Sequence, residues 1–173
     1  MPTMQMKTPQ DLFIHELSDI HSGEQIIVQM LEQAQGLVQH HQLQEGLRLH
    51  AEQSRQQAQR IEQVFQLMGA QPHPIECHAA KGLMQSLTEV IQSNPSPEVL
   101  EGAVVAGAMK TEHLEIAAYT GLVEKARTMG QTEAAQLLMQ NLQEEQQMLQ
   151  RVEQIATQLT QQMASIQGSA SNA

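Results

Sequence analysis

Apolar residues recur every three or four positions over four long segments of the chain, the spacing that places them on one face of an α-helix. The first two stripes comprise Phe13, Leu17, Ile20, Ile27, Leu31 and Ala34, then Leu43, Leu47, Ala51, Ala58, Ile61, Phe65 and Met68. No segment shows a strand-like alternation of apolar and polar residues. The pattern therefore predicts an all-helical protein, in keeping with the many Gln, Glu, Ala, Leu and Met residues, which favour helices.

Turn and capping residues bound these segments. Thr8 before Pro9 predicts an N-cap with proline in the first helical turn, and this first helix ends near residues 36–41. A second helix is predicted over residues 42–68, a short one over 77–93, and two further long ones over 97–129 and 132–166. Gly69 and Gly130 follow the second and third long helices as stop signals.

The lengths of the connections predict how the helices pack. The first and second long helices are joined by a short loop, as are the third and fourth, whereas a long connection with its own short helix separates the two pairs. Short loops join antiparallel neighbours, and one long crossover is typical of ferritin-like folds. We predict an all-α, ferritin-like four-helix bundle over residues 8–166, with a fifth short helix in the crossover, an extension at 1–7 and a disordered tail at 167–173.

Acidic residues interrupt the apolar stripes at mid-helix. Glu24, Glu112 and Glu145 lie near the centres of the stripes on three different helices, and each is close to its helix midpoint. Glu115 lies at the edge of its stripe, and Tyr119 returns to the centre of it. Three buried carboxylates at similar height would repel one another and would be costly to ionise.

The second helix contributes different polar groups. His50 and Ser54 lean toward the apolar side, Gln57 lies at its edge and Gln53 lies further out. Glu52 falls on the opposite side and is discounted. The histidine could be a hydrogen-bonded core residue, but its coincidence with the glutamates favours a ligand.

A bound cation would compensate the clustered negative charge, because divalent metal ions are coordinated by carboxylate oxygens and imidazole nitrogens. The alternative is that Arg55 or Lys110 reaches inward and pairs with the carboxylates. We predict a divalent-metal site, with iron or manganese as candidates. The predicted ligands are Glu24, His50, Glu112, Glu115 and Glu145, and the predicted surrounding residues are Gln53, Ser54, Gln57 and Tyr119.

Charge and composition narrow the other possibilities. The formal net charge of −10 disfavours binding to nucleic acid, which is itself negatively charged. The single cysteine cannot form an intrachain disulfide, and no signal peptide or transmembrane run is evident. We expect a soluble, cytoplasmic protein with no membrane or nucleic-acid partner.

Several stretches resemble the YciE/YciF-type ferritin-like proteins of bacteria, which are associated with stress responses. The stretch "EHLEIAAYTGL" carries the strongest resemblance, supported by "DLFIHELSDIHSGEQ", "HAEQSRQQAQRIEQVF", "CHAAKGL" and "LQEEQQ". Together they span roughly residues 7–160. The resemblance implies a ferritin-like bundle, a homodimer, a stress role and a metal site.

The sequence departs from that pattern on the second helix, where Gln53 stands for the usual Glu and Ser54 for Thr. The Glu-x-x-His pair of di-iron proteins is also missing from the second and fourth long helices. Because of these departures, we do not expect catalysis. A weak metal-dependent oxidase and a metal-free structural or interaction bundle are the alternatives.

Overall fold

A computed structural model of the protein describes residues 6–170, with side chains up to residue 162 and at residue 164. It contains five α-helices and, within the described residues, no strand: α1 (Pro9–Gln35), α2 (His41–Leu67), α3 (His78–Gln92), α4 (Pro97–Thr128) and α5 (Thr132–Ala170). The predicted helices are confirmed to within a few residues. However, α5 continues past its predicted end at residue 166, so residues 167–170 of the predicted tail are helical. Residues 1–5 and 171–173, which belong to the predicted extension and tail, lie outside the described residues.

Local capping explains where the helices begin and end. The Thr8 hydroxyl accepts a hydrogen bond from the Asp11 amide at 3.1 Å, and the Asp11 carboxylate accepts one from the Thr8 amide at 2.8 Å. This reciprocal capping box satisfies two amides that the first turn of α1 leaves free. Gly69 and Gly130 follow α2 and α4 with φ of 62° and 72°, a conformation that glycine adopts without steric cost.

The four long helices form a bundle in which each neighbouring pair is antiparallel. The α1–α2 and α4–α5 hairpins pack side by side, with α1 against α4 and α2 against α5. Glu16 near the start of α1 pairs with Lys125 near the end of α4 at 2.8 Å. In the same way, Arg60 late in α2 donates to Asn141 early in α5 at 2.6 Å.

The crossover carries the chain from one end of the bundle to the other. Because α2 ends at the far end from the α1–α2 loop, the chain must return before α4 begins beside that loop. The Glu101 carboxylate of α4 accepts hydrogen bonds from the loop amides of Gln39 and His40 at 2.8 and 2.7 Å. On the way α3 packs against α1 and α4. This is the predicted bundle with one long crossover. Within residues 6–170, no helix has the length and apolar character needed to cross a membrane.

Two apolar clusters fill the bundle interior, one toward each end. The cluster we call the lower core is formed by Phe13, Ile14, Leu17, Ile20, Ile61, Val64, Phe65, Tyr119, Leu122, Val123, Ala126, Ala134, Ala135, Leu138 and Leu142. The upper core includes Ile27, Leu31, Leu47, Ala51, Val104, Val105, Ala108, Met148, Val152 and Ile155. Between them lies a polar layer of buried side chains, comprising Glu24, His50, Ser54, Gln57, Glu112, Glu115 and Glu145.

Candidate metal centre

The imidazole of His50 lies at the centre of the polar layer. Its Nδ1 atom is 3.0 Å from Glu112 Oε1, and its Nε2 atom is 3.2 Å from Glu115 Oε2 and 3.5 Å from Glu145 Oε2. The contact with Glu115 has hydrogen-bond geometry, whereas neither oxygen of Glu112 has a hydrogen-bond partner among the described residues. One ligand atom from each of these four buried residues lies within 4.8 Å of the others. We call this group the His50 cluster.

Helix geometry explains how three helices supply the cluster. Glu112 and Glu115 are three residues apart on α4, so both carboxylates project from the same side of the helix. His50 extends from α2 and Glu145 from α5, two helices that pack against each other along the bundle. The apolar residues one turn away on these helices, such as Leu47 and Met148, pack in the upper core and hold the backbone in place.

Glu24 lies beside the cluster but does not belong to it. Its Oε1 atom accepts a hydrogen bond from the Tyr119 hydroxyl, and its Oε2 atom has no hydrogen-bond partner. Both side chains are fully buried. Since Tyr119 also packs in the lower core, this hydrogen bond joins the polar layer to the apolar interior beneath it.

A second network connects the cluster to the α2–α5 surface. The Gln57 amide donates to Glu145 Oε1 and also to Glu144 Oε2, the latter at 3.1 Å. Arg60 in turn donates two hydrogen bonds to Glu144, both 2.7 Å long, and one to Asn141. The Arg60 and Glu144 side chains remain 12% and 20% exposed, so the network runs from the buried cluster to partly solvated charges.

Unsatisfied polar atoms concentrate in the polar layer. Among the described residues, the buried side-chain oxygens and nitrogens that lack a hydrogen-bond partner are Glu24 Oε2, Ser54 Oγ, Gln57 Oε1, Glu112 Oε1 and Oε2, Glu115 Oε1 and Glu145 Oε2. All seven are oxygens, and all belong to this layer. Each buried acceptor without a donor destabilises the folded protein by about 1–3 kcal/mol. The packing of the two apolar cores therefore does not explain why these oxygens are buried together.

Burial and mutual repulsion shift the ionisation of the carboxyl groups. Burial raises the pKa of both Glu112 and Glu115 to about 8, against an opposing effect of His50. Burial also raises the pKa of Glu24 well above its ordinary value, and the charges of Glu115 and Glu145 add to the effect. Near neutral pH, the cluster therefore retains protons that an exposed set of carboxyl groups would release.

Two groups of the cluster favour the charged form. Burial lowers the pKa of the His50 imidazole, but the adjacent Glu112 and Glu115 carboxylates outweigh burial and bring the pKa well above its usual range. Burial likewise raises the pKa of Glu145, yet the nearby imidazole and the Gln57 amide hold it below the ordinary value. An imidazolium beside one carboxylate and two protonatable carboxyls gives the layer little net charge.

The structure brings together most of the residues predicted from the sequence. His50, Glu112, Glu115 and Glu145 form the cluster, and Glu24 lies next to it. Glu115, predicted at a stripe edge, is instead completely buried. Among the predicted surrounding residues, Gln57 and Tyr119 bond cluster or neighbouring carboxylates, and Ser54 lies buried in the layer. Gln53 is half-buried and makes no hydrogen bond to the cluster.

The alternative partners suggested by the sequence do not reach the cluster. Arg55 pairs instead with Glu32, and Lys110 is exposed. Sequence reasoning missed Asn141, which is fully buried and donates to the Gln57 carbonyl at 3.4 Å. Its position four residues before Glu145 places it on the same helix face, a signal that could have identified it.

The donor set suits a hard or borderline divalent cation. Carboxylate oxygens with one imidazole nitrogen are ligands that iron, manganese and zinc accept in proteins. The unpaired oxygens of the layer are the atoms such an ion would need. Fold and site together define a ferritin-like helical bundle with a candidate metal centre in its middle.

The chain belongs to the family described as a domain of unknown function, DUF892, whose model matches residues 8–165. It is 36% identical over 143 residues to the protein YciF of Escherichia coli strain K12, covering 82% of this chain and 86% of YciF. The resemblance noted in the sequence is thereby confirmed.

Solved structures show the same fold. The crystal structure of the Escherichia coli stress protein YciF superposes with a TM-score of 0.87 at 33% identity, covering 90% of this chain and 99% of that one. The protein YcfI of Rhodopseudomonas palustris gives 0.83 at 31% identity, covering 88% and 98%. A Xanthomonas campestris protein gives 0.72 at 19% identity, covering 93% and 99%, and supports the fold alone. The ferritin-like fold is therefore confirmed.

Proposed function

We propose that this protein binds one divalent cation, iron or manganese, at the His50 cluster. The observation that supports the proposal is the concentration of unpaired buried oxygens around a single imidazole. A cation would compensate the carboxylate charge and supply the missing partner for these oxygens. The biological setting that we propose, by extension from YciF, is a bacterial stress response in the cytoplasm, with the protein acting as a homodimer.

The donor set favours one ion over two. Di-iron bundle proteins use carboxylates from all four helices together with two histidines. Here the polar layer contains one histidine, and the α2 positions Ser54 and Gln57 offer a hydroxyl and an amide instead. Glu24 is held by Tyr119 outside the four-residue group. We therefore propose metal binding without an assigned reaction.

Protein groups around the cluster would orient the ligands. Gln57 donates to one oxygen of Glu145 and leaves the other without a hydrogen-bond donor among the described residues, and Tyr119 does the same for Glu24. Such hydrogen bonds fix carboxylate orientation and commonly change metal affinity by about 10–100-fold when removed. Binding would also require His50, Glu112 and Glu115 to lose protons, because only deprotonated groups coordinate a metal.

Metal analysis of untagged protein tests the proposal. The chain is supplied with Fe(II) or Mn(II), desalted and analysed for bound metal beside two variants. Glu112→Ala removes a cluster carboxylate, whereas Glu52→Ala removes an exposed one from α2 and serves as the matched control. We expect stoichiometric metal in the wild type and control, and loss of it in Glu112→Ala. Circular dichroism checks that both variants fold. Metal-free wild-type protein after both treatments would refute the proposal.

One observation favours a second candidate, a structural or interaction bundle with a degenerate site. The raised pKa values of Glu24, Glu112 and Glu115 allow the polar layer to approach neutrality with protons alone. In this case a chelator and added metal would both leave the melting temperature unchanged. Sedimentation analysis of the same samples would show whether a dimer forms independently of metal. A metal-dependent melting temperature would exclude this candidate.

A further inference from the structure

A pocket of about 260 Å³ lies between α3 and the faces of α1 and α4. Its inner wall consists of upper-core residues, including Leu31, Leu47 and Val104, and its outer wall is formed by α3 residues such as Leu87 and Val90. The lining of the pocket includes none of the residues of the polar layer. Its walls are therefore almost entirely aliphatic.

Two polar side chains, Ser86 and Lys110, line this pocket, and they differ in whether they are free to contact a ligand. The Ser86 hydroxyl donates to the Gly82 carbonyl at 3.0 Å, so its donor is already used within α3. Lys110 forms no ion pair with any described residue, whereas Lys81 and Lys125 pair with Glu76 and Glu16. Among the residues that the structure describes, no acidic side chain lines the pocket. Lys110 is therefore a cationic lining residue of this apolar pocket that is available to pair with an anion.

We propose that this pocket binds a small aliphatic carboxylate, with the alkyl chain between α3 and α4 and the carboxylate on Lys110. Ligand pockets combine apolar walls with a few polar groups that fix orientation, and this pocket has that composition. Its volume is just below the range of roughly 300–1,000 Å³ usual for small-molecule sites, which suits a short chain. The lysine selects an anion over a neutral or cationic molecule of the same length.

Calorimetric titration with octanoate, 1-octanol and octylamine tests the chemical class. The experiment is performed with a chelator present, so that its outcome does not depend on the metal site. We expect saturable one-to-one binding of octanoate and weaker binding of octylamine. Lys110→Gln, at an exposed position, should weaken octanoate binding by roughly two- to fivefold, as expected for a solvent-exposed ion pair, and leave octanol binding unchanged. Lys125→Gln is the matched control and should change neither.

A second pair of variants tests the location. Gly107 lines the pocket on α4, and a side chain added there meets no atom within 4 Å, so Gly107→Leu would fill the space. Gly82→Leu makes the same change at an open α3 position outside the pocket lining. We expect the first to abolish octanoate binding and the second to preserve it. Absence of saturable binding, binding that survives Gly107→Leu, or conversion of a dimer to a monomer by Gly107→Leu would overturn the proposal.

Discussion

Replacing Glu112 with glutamine distinguishes a polar layer that binds metal from one that is structural and metal-free. The carboxyl group is fully buried, and its Oε1 atom contacts His50 Nδ1 at 3.0 Å without a hydrogen bond among the described residues. Its pKa is about 8 against an ordinary 4.5. Glu112→Gln keeps the size of the side chain and removes its titration. In metal-free protein this should stabilise the fold, whereas in metal-loaded protein it removes a ligand. The same substitution should therefore act in opposite directions under the two conditions.

The magnitude follows from proton linkage. A carboxyl group whose pKa is higher in the folded protein than in the unfolded protein contributes stability that is complete below the unfolded-state pKa. This stability is lost as the pH rises through the folded-state pKa. Between pH 4.5 and pH 8, each pH unit weakens folding by about 1.4 kcal/mol through this group. At pH 7 the cost is about 3 kcal/mol, and glutamine avoids it. Because glutamine also removes a carboxylate that favours the His50 cation, we expect a net gain of roughly 1–2 kcal/mol.

Thermal melting in EDTA and in excess Mn(II) measures both effects. A gain of this size raises the melting temperature by roughly 3–6 °C for a chain of this length, and the gain should shrink toward pH 5. With metal at 100 times its dissociation constant, the wild type should gain about 2.7 kcal/mol and become the more stable of the two. Glu52→Gln, at an exposed α2 position, should shift neither melt by more than about 0.5 kcal/mol. Destabilisation by Glu112→Gln in EDTA at pH 8, or a difference independent of pH, would refute the reasoning.

Three further predictions concern protons, helix capping and the α2–α5 network. Metal binding between pH 7 and pH 8 should release protons, because the carboxyl groups of Glu112 and Glu115 both have a pKa of about 8. Titration calorimetry in buffers of different ionisation enthalpy measures this release. No release is expected if these two groups are not ligands. Thr8→Ala should cost about 1 kcal/mol in urea denaturation, and Ser96→Ala, which removes no side-chain cap bond, should cost little. Arg60→Met should cost about 1–3 kcal/mol because it removes the two hydrogen bonds that the half-buried Glu144 accepts from Arg60. Arg48→Met, which breaks only exposed pairs, should stay below about 1 kcal/mol, and equal losses would contradict the role of burial.

The polar layer could be located from the spacing of residues along each helix, which is a local property of the chain. A residue's angular position on a helix follows from its number, so Glu24, Glu112 and Glu145 were identifiable as interruptions of apolar stripes. Their similar height was also accessible, since helix lengths and loop positions set it. Their burial confirms this part of the prediction.

The central position of Glu115 was not accessible in the same way. Helix α4 packs against α1, α3 and α5, so apolar residues lie on several of its faces and no single stripe dominates. Only the packing shows that Glu115 faces the bundle interior, where its Oε2 atom is hydrogen-bonded to His50 Nε2. On α2, which has a clearer apolar face, the inward lean of His50 and Ser54 was correctly predicted from spacing.

The sequence by itself determined the helices, their ends, the single long crossover and the presence of polar groups inside the bundle. These properties depend on spacing, capping and loop length, which are local along the chain. The tertiary structure decided which groups meet: His50 joins Glu112, Glu115 and Glu145, whereas Tyr119 holds Glu24 apart. It also decided that Arg60 pairs with Glu144 at the α2–α5 boundary. Such pairings depend on the rotation and side-chain conformation of helices brought together from distant parts of the chain, and no local pattern encodes them.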